Sequence, residues 1–212
     1  MPLPSSQGER RRPSGPFRML VVCTGNVCRS PLAAAALRRG LATDAVEVAS
    51  AGLGAQEGAP VDAAVRAEAR RLGLDVDAHR AHLLRAEDAA ASDLVIVATR
   101  RQRSVVVDLV PAAIQRTFTL LELDAALARV DAAELPGDGG AVARLAATVR
   151  AAARARGPAV RGVDVDVPDP HGGSAALHRA VADLVEAAAS RIAARVGTLA
   201  RIHPPDEGED VS

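Results

Sequence analysis

The chain has 212 residues, 49% of them hydrophobic, and a formal net charge of +0 with 26 basic and 26 acidic residues. That length buries the core of one ordinary domain and falls short of two, and the neutral balance excludes bulk attraction to nucleic acid or to an anionic membrane surface. Two cysteines make no disulfide framework, no stretch approaches a membrane span, and Arg10-Arg11-Arg12 runs into Pro13-Ser14-Gly15 where a signal peptide needs an apolar segment; a soluble, reducing, cytoplasmic setting is the expectation.

Residues 1–16, rich in Pro, Ser, Gly and Arg, hold too little apolar surface to pack and are expected to be disordered, as is the acidic tail 203–212. Between them, over 17–202, short apolar runs alternate with helical patterns. Arg18-Cys23 is a continuous apolar run that suits a strand covered on both faces. Ser30 is positioned to cap, and Pro31 to open, a helix over 32–41. A second strand follows at 46–50, an Ala/Arg-rich helix at 61–72 closed by Gly73, and a short helix at 86–92. Leu94-Thr99 is the clearest buried strand. A helix over 101–110 stops before Pro111, a strand occupies 115–120, and further helices occupy 123–130, 140–156 and 174–196. The glycines and Asp138 between Pro136 and Gly140 mark a surface loop, and the stretch 123–161 is expected to be helical and to pack on the sheet edge. Strands separated by helices imply βαβ units: an α/β fold of three layers, a four-stranded parallel sheet with helices on both faces.

The segment Cys23-Thr24-Gly25-Asn26-Val27-Cys28-Arg29-Ser30-Pro31 carries the chemistry. In an open parallel sheet, ligands bind beyond the carboxyl ends of the strands, and Cys23 stands at such an end. Gly25 and Asn26 tolerate the left-handed backbone that turns successive N–H groups inward around an anion. The free N–H groups and dipole of the following helix favour the same anion, and Arg29 can grip two of its oxygens at once. A thiolate facing a bound phosphate is a nucleophile in position. A lone Cys at a strand end is usually a small buried hydrophobe; here the spacing to Arg29, the Gly-Asn pair, and the strand-before, helix-after context point to function.

At these residues the chain resembles the low-molecular-weight protein tyrosine phosphatase family, whose loop reads Cys, any residue, Gly-Asn-x-Cys-Arg-Ser-Pro. The resemblance continues through Ser50-Ala51-Gly52, His79-Arg80-Ala81, the strand 93–99 with Arg100, and Val167-Pro168-Asp169-Pro170, covering roughly 17–195. It implies a phosphatase without metal or cofactor, in which Cys23 attacks phosphorus to form a cysteinyl-phosphate. Arg29 and the loop Thr24, Gly25, Asn26, Val27 and Cys28 hold the phosphate, Ser30 hydrogen-bonds the thiolate, and Asn26 keeps the loop in shape. Asp169 is implied as general acid; a carboxyl on a loop stiffened by Pro168 and Pro170 can protonate a leaving oxygen, although Asp164 and Asp166 lie close by in sequence. Cys28 either packs under the loop or, as the resemblance implies, forms a reversible disulfide that shelters Cys23. No further Cys or paired His completes a zinc set in the sequence.

The implied partner is a phosphorylated protein, with a bacterial tyrosine kinase as one candidate; nucleic acid and membrane are not implied. The chain departs from the family at the pocket rim: where relatives carry aromatic residues it has Ala55 or Gln56 and His171-Gly172-Gly173, and it contains only Phe17 and Phe118, with no Tyr and no Trp. Two alternatives therefore stand beside the phosphatase: an arsenate reductase using an external low-molecular-weight thiol, and a catalytically weak phosphoprotein-binding module. His79, His82 and the Arg clusters at 70–71, 100–103 and 150–156 read as structural or solvated.

Overall fold

Each apolar run that lacks helical periodicity has become a strand. The computed structural model describes residues 15–136 and 140–201; the expected disordered ends 1–16, apart from Gly15 and Pro16, and 203–212, together with the loop residues 137–139, lie outside the described residues. In chain order the elements are β1 (Phe17–Cys23), α1 (Arg29–Gly40), β2 (Val46–Gly52), α2 (Ala63–Arg71), α3 (Ala86–Ala91), β3 (Leu94–Val97) and α4 (Arg100–Leu109). A 3-10 helix, Pro111–Arg116, leads into β4 (Thr117–Thr119) and α5 (Leu120–Leu127). A 3-10 turn at Ala132–Glu134, α6 (Ala141–Ala159) and α7 (Ala175–Ala200) complete the order.

The sheet is four-stranded, in the order β2-β1-β3-β4, and every pairing is parallel. The pleat of β1 divides its residues between two cores. Phe17, Met19, Val21 and Cys23 join the core shared with α1, α2, α5, α6 and α7. Leu20 and Val22 join the smaller one with Ala89 of α3 and Val106 of α4. Period-two alternation with both faces buried is why β1 and β3 read as unbroken apolar runs, and the three-layer α/β expectation holds. The chain leaves β1 for β2 on one side and later returns to β3 on the other. The end of β1 is thus the point where strand order reverses, the place in such sheets where a crevice forms.

Several boundaries differ from the sequence reading, each for a visible reason. Helix α1 begins at Arg29, with Cys28 at its N-cap position and no side-chain cap; Ser30 does not cap it, because its hydroxyl turns inward to Cys23 and Asn26. Pro31 falls in the first turn, where a missing N–H costs nothing. The caps lie elsewhere: Asp62 accepts from Ala64 N and Val65 N, and Thr99 and Thr119 form capping boxes with Gln102 and Glu122. The stretch 123–161 is largely helical. Helix α6 packs mainly on α5 and α7 within one helical layer and touches the edge strand through Arg156, which donates to Thr117 O at 2.8 Å. Arg156 also lies 4.0 Å over the Phe118 ring and 3.5 Å from Glu122, a buried carboxylate that Arg103 approaches as well. These two arginines are therefore not solvated helix faces: they satisfy a buried acid.

Candidate active site

Cys23 ends β1, buried at 2% exposure, and its carbonyl accepts from Leu53 N at 2.9 Å, pinning the strand end to the β2 loop. The chain then turns through Thr24–Cys28 into α1. Asn26 makes that turn with φ 54, the left-handed region that Asn tolerates better than other residues with a side chain. Its backbone N–H points at Cys23 Sγ, 3.3 Å away, and Ser30 Oγ lies 3.0 Å from the same sulfur. Both can donate a hydrogen bond to that sulfur.

Asn26 itself is fully buried and engaged on every side. Its Nδ2 donates to Ser30 Oγ at 2.9 Å and to Ser50 Oγ at 3.0 Å, and its Oδ1 accepts from His82 N at 2.8 Å. Its carbonyl lies 2.8 Å from His79 Nε2, which must be the donor because a carbonyl only accepts. Burial outweighs that hydrogen bond and, with the charges of Arg38 and Arg80, holds the His79 pKa below its ordinary value. His82 is raised, first by its hydrogen bond to Glu57 at 3.0 Å, and its other nitrogen sits 3.0 Å from Asp88. Gly52 presses on the loop from below: a Cβ there would meet Thr24 O at 2.7 Å and Asn26 N at 2.8 Å. Only glycine allows this approach.

Arg29 is 5% exposed. Its guanidinium donates to Val167 O at 3.2 Å and to Asp169 Oδ2 at 2.7 Å, and it reaches Thr24 Oγ1 at 3.5 Å. Its buried Nε–H has no partner among the described residues. The Asp169 segment is tied to the residue after β3 by Val167 N donating to Ala98 O at 2.8 Å, and with the bond to Arg29 this holds Asp169 on the cleft that Cys23 also lines. The neighbouring acids face elsewhere: Asp166 accepts from Arg100 N at 2.8 Å, and Asp164 pairs with the Arg100 side chain. The structure thereby separates Asp169 from the two acids that sequence proximity left beside it.

A cleft of about 140 Å³ opens above Cys23, lined by Thr24, Gly25, Val27, Cys28, Arg29, Asp169 and His171. Of the residues expected to bind substrate, Asn26 and Ser30 lie beneath this cleft. Their side chains hold the loop in shape, as the resemblance implied for Asn26. His79 and His82, read as structural, hold that loop from the far side, through the His79 ring and the His82 backbone N–H. Their signal was faint: two histidines three apart after a turn. A larger cleft of about 580 Å³ lies between α1 and Leu74–His79, and neither cysteine lines it.

The family model described as low molecular weight phosphotyrosine protein phosphatase matches residues 18–144. The chain belongs to this family. It is 30% identical over 183 residues to a protein-arginine-phosphatase of Geobacillus stearothermophilus, covering 86% of this chain and 98% of that one. It is 34% identical over 191 residues to a low molecular weight protein-tyrosine-phosphatase of Streptomyces coelicolor, covering 85% and 93%. Among solved structures, the YwlE arginine phosphatase from Geobacillus stearothermophilus superposes with a TM-score of 0.64 at 30% identity, over 86% of this chain and 94% of that one. The four-stranded parallel sheet with its loop after β1 is thus the fold of this phosphatase family, and no helix among the described residues is long and apolar enough to cross a membrane.

Proposed function

We propose that this phosphatase hydrolyses phosphotyrosine in proteins through a cysteinyl-phosphate on Cys23, with Arg29 as the phosphate clamp and Asp169 as the general acid. The observation that carries the reading is the convergence of Cys23 Sγ, the Arg29 guanidinium and the Asp169 carboxyl on one cleft at the end of β1. The thiolate attacks phosphorus from the loop floor while the bond to the leaving oxygen breaks, and Asp169 delivers its proton to that oxygen. Arg29, including its unpartnered Nε–H, and the loop amides hold the equatorial oxygens, whose charge they stabilise throughout. Asp169, now a carboxylate, takes a proton from water as the water attacks phosphorus. The S–P bond breaks and inorganic phosphate leaves. A reducing compartment such as the cytoplasm suits two free thiols, and an autophosphorylating bacterial tyrosine kinase is a fitting substrate.

Phosphoarginine is the second reading, favoured by a rim that offers Val27, Asp169 and His171 in place of aromatic rings and by the likeness to a protein named for that activity. Arsenate reduction is not favoured, since the matched family and the relatives above are phosphatases by name. A binding module without turnover would have no use for an acid aligned with the nucleophile.

The test is turnover of an activated aryl phosphate, a phosphotyrosine peptide and a phosphoarginine peptide by the wild type, Cys23→Ser and Asp169→Asn. Cys23→Ser should abolish all hydrolysis. Asp169→Asn should slow the phosphotyrosine peptide by about a hundredfold or more while affecting the activated ester far less. Equal losses on both esters would remove Asp169 as the acid, and a wild type that spares phosphotyrosine but cleaves phosphoarginine would replace the first reading with the second.

A further inference from the structure

At the edge of the nucleophile cleft, three chemically different ligand groups from distant parts of the chain meet. Cys28 Sγ, an Asp62 carboxylate oxygen and a His171 ring nitrogen all lie within 4.8 Å of one another. Tetrahedral zinc with these donors needs separations of roughly 3.4–3.6 Å, so an adjustment of about 1 Å closes the set. Asp62 spends Oδ1 on the amides of Ala64 and Val65 at the start of α2, at 2.9 and 3.3 Å, which fixes the carboxylate and leaves Oδ2 without a hydrogen bond among the described residues.

His178 supplies an independent sign. It is 7% exposed, and its Nδ1 lies 3.0 Å from Ser174 O, a carbonyl that can only accept, so Nδ1 carries the hydrogen. In the neutral ring Nε2 is therefore an electron pair. That atom is buried with no hydrogen-bond partner among the described residues, and it faces Asp62 Oδ1 at 3.9 Å. A positive charge between the two, a proton on the ring or a metal ion, would join them. A ring whose other N–H is held by a backbone carbonyl is the arrangement metal-binding histidines adopt.

From this geometry we propose a regulatory zinc site on Cys28, Asp62 and His171, with His178 as fourth ligand or as the partner that fixes Asp62. Binding replaces the Cys28 S–H bond with an S–Zn bond, and the proton leaves to solvent. Asp62 brings a carboxylate to the Cys28 thiol, a negative charge that favours a dication. Cys28 and His171 both line the cleft over Cys23, and His171 stands two residues from Asp169. The ion would clamp the acid-bearing loop onto the nucleophile loop and stop turnover reversibly, an effect that rests on the phosphatase reading; binding itself does not.

The experiment titrates Zn²⁺ into the full chain by calorimetry, using wild type, Cys23→Ser, Cys28→Ser, Asp62→Asn and His178→Gln, each checked for native circular dichroism. Asn keeps the α2 cap and Gln keeps a polar side chain, so both variants are expected to fold. One equivalent should bind to Cys23→Ser as to wild type, and the affinity should fall tenfold or more in each of the other three. His178→Gln should keep aryl phosphate turnover and lose zinc inhibition. Zinc binding that vanishes in Cys23→Ser and persists in Asp62→Asn and His178→Gln would put the ion on the nucleophile and overturn the proposal. So would the absence of binding to wild type at millimolar zinc.

Discussion

Replacing Asn26 by Ala is the sharpest test of how the nucleophile loop is built. The substitution removes the two bonds from Nδ2 to Ser30 and Ser50 and leaves the His82 N–H without its acceptor. At about 1 kcal/mol for each of three buried hydrogen bonds, the loss is about 3 kcal/mol. A left-handed φ of 54 adds about 1 kcal/mol for a residue with Cβ and no polar side chain. A total near 4 kcal/mol in a chain of this size lowers Tm by roughly 8–16 °C. Asn26→Gly separates the two contributions, since glycine relieves the backbone and restores none of the bonds. Thermal melts by circular dichroism, with kcat/KM on an aryl phosphate from the same preparations, read both. The expected order of stability is wild type, then Gly, then Ala, with activity falling steeply in both variants because Ser30 and the Asn26 N–H lose their alignment on Cys23. An Ala variant that melts within about 2 °C of wild type and retains turnover would refute the claim that this side chain holds the loop.

Gly52→Ala places a Cβ against fixed backbone, 2.7 Å from Thr24 O and 2.8 Å from Asn26 N, so the loop itself must move. We expect about 1–3 kcal/mol of destabilisation with a more than tenfold fall in kcat/KM; unchanged kinetics would mean the loop tolerates displacement. His82, between Glu57 and Asp88, has a folded-state pKa raised above 6.5. A raised value in the fold means that its stabilising contribution is fully present below the unfolded value and lost as pH rises through the folded one. Melts between about pH 6 and pH 8.5 should therefore show wild type losing stability relative to His82→Gln as pH rises, and parallel curves would show that the histidine contributes nothing through its charge.

What was legible in the sequence was what depends on neighbours along the chain. Leu94–Val97 declares a buried strand because all four side chains are apolar and both faces are covered. Cys23–Pro31 reads as an anion loop because the proposed nucleophile, the left-handed turn and the proposed clamp are contiguous. What stayed hidden comes from residues far apart. Ser30 looked like a cap because nothing local reveals that Asn26 and Cys23 compete for its hydroxyl. His79 and His82 reach the loop across more than fifty positions, and Arg156 crosses thirty-four to meet Glu122. The 3-10 helix Pro111–Arg116 escaped notice because a single tight turn after a proline leaves no periodic pattern. The Cys28, Asp62, His171 and His178 cluster likewise draws on the ends of three helices and a loop, a spacing no linear motif encodes.

The same reasoning bears on substrate choice. Both phenylalanines, Phe17 and Phe118, are fully buried in the core, so the rim has no ring to give. A single aromatic pair contributes about 0.5–1.5 kcal/mol, which corresponds to roughly a two- to tenfold change in affinity. On the proposed mechanism, recognition of the phosphoryl group through Arg29 is unaffected by that loss, because a guanidinium clamp grips oxygens and never meets the leaving group's ring. Discrimination must then come from Val27, Asp169 and His171 at the mouth and from the polypeptide flanking the modified residue. A protein substrate that spreads its contacts over that rim should outcompete a small aryl phosphate by more than it does where an aromatic wall already holds the ring.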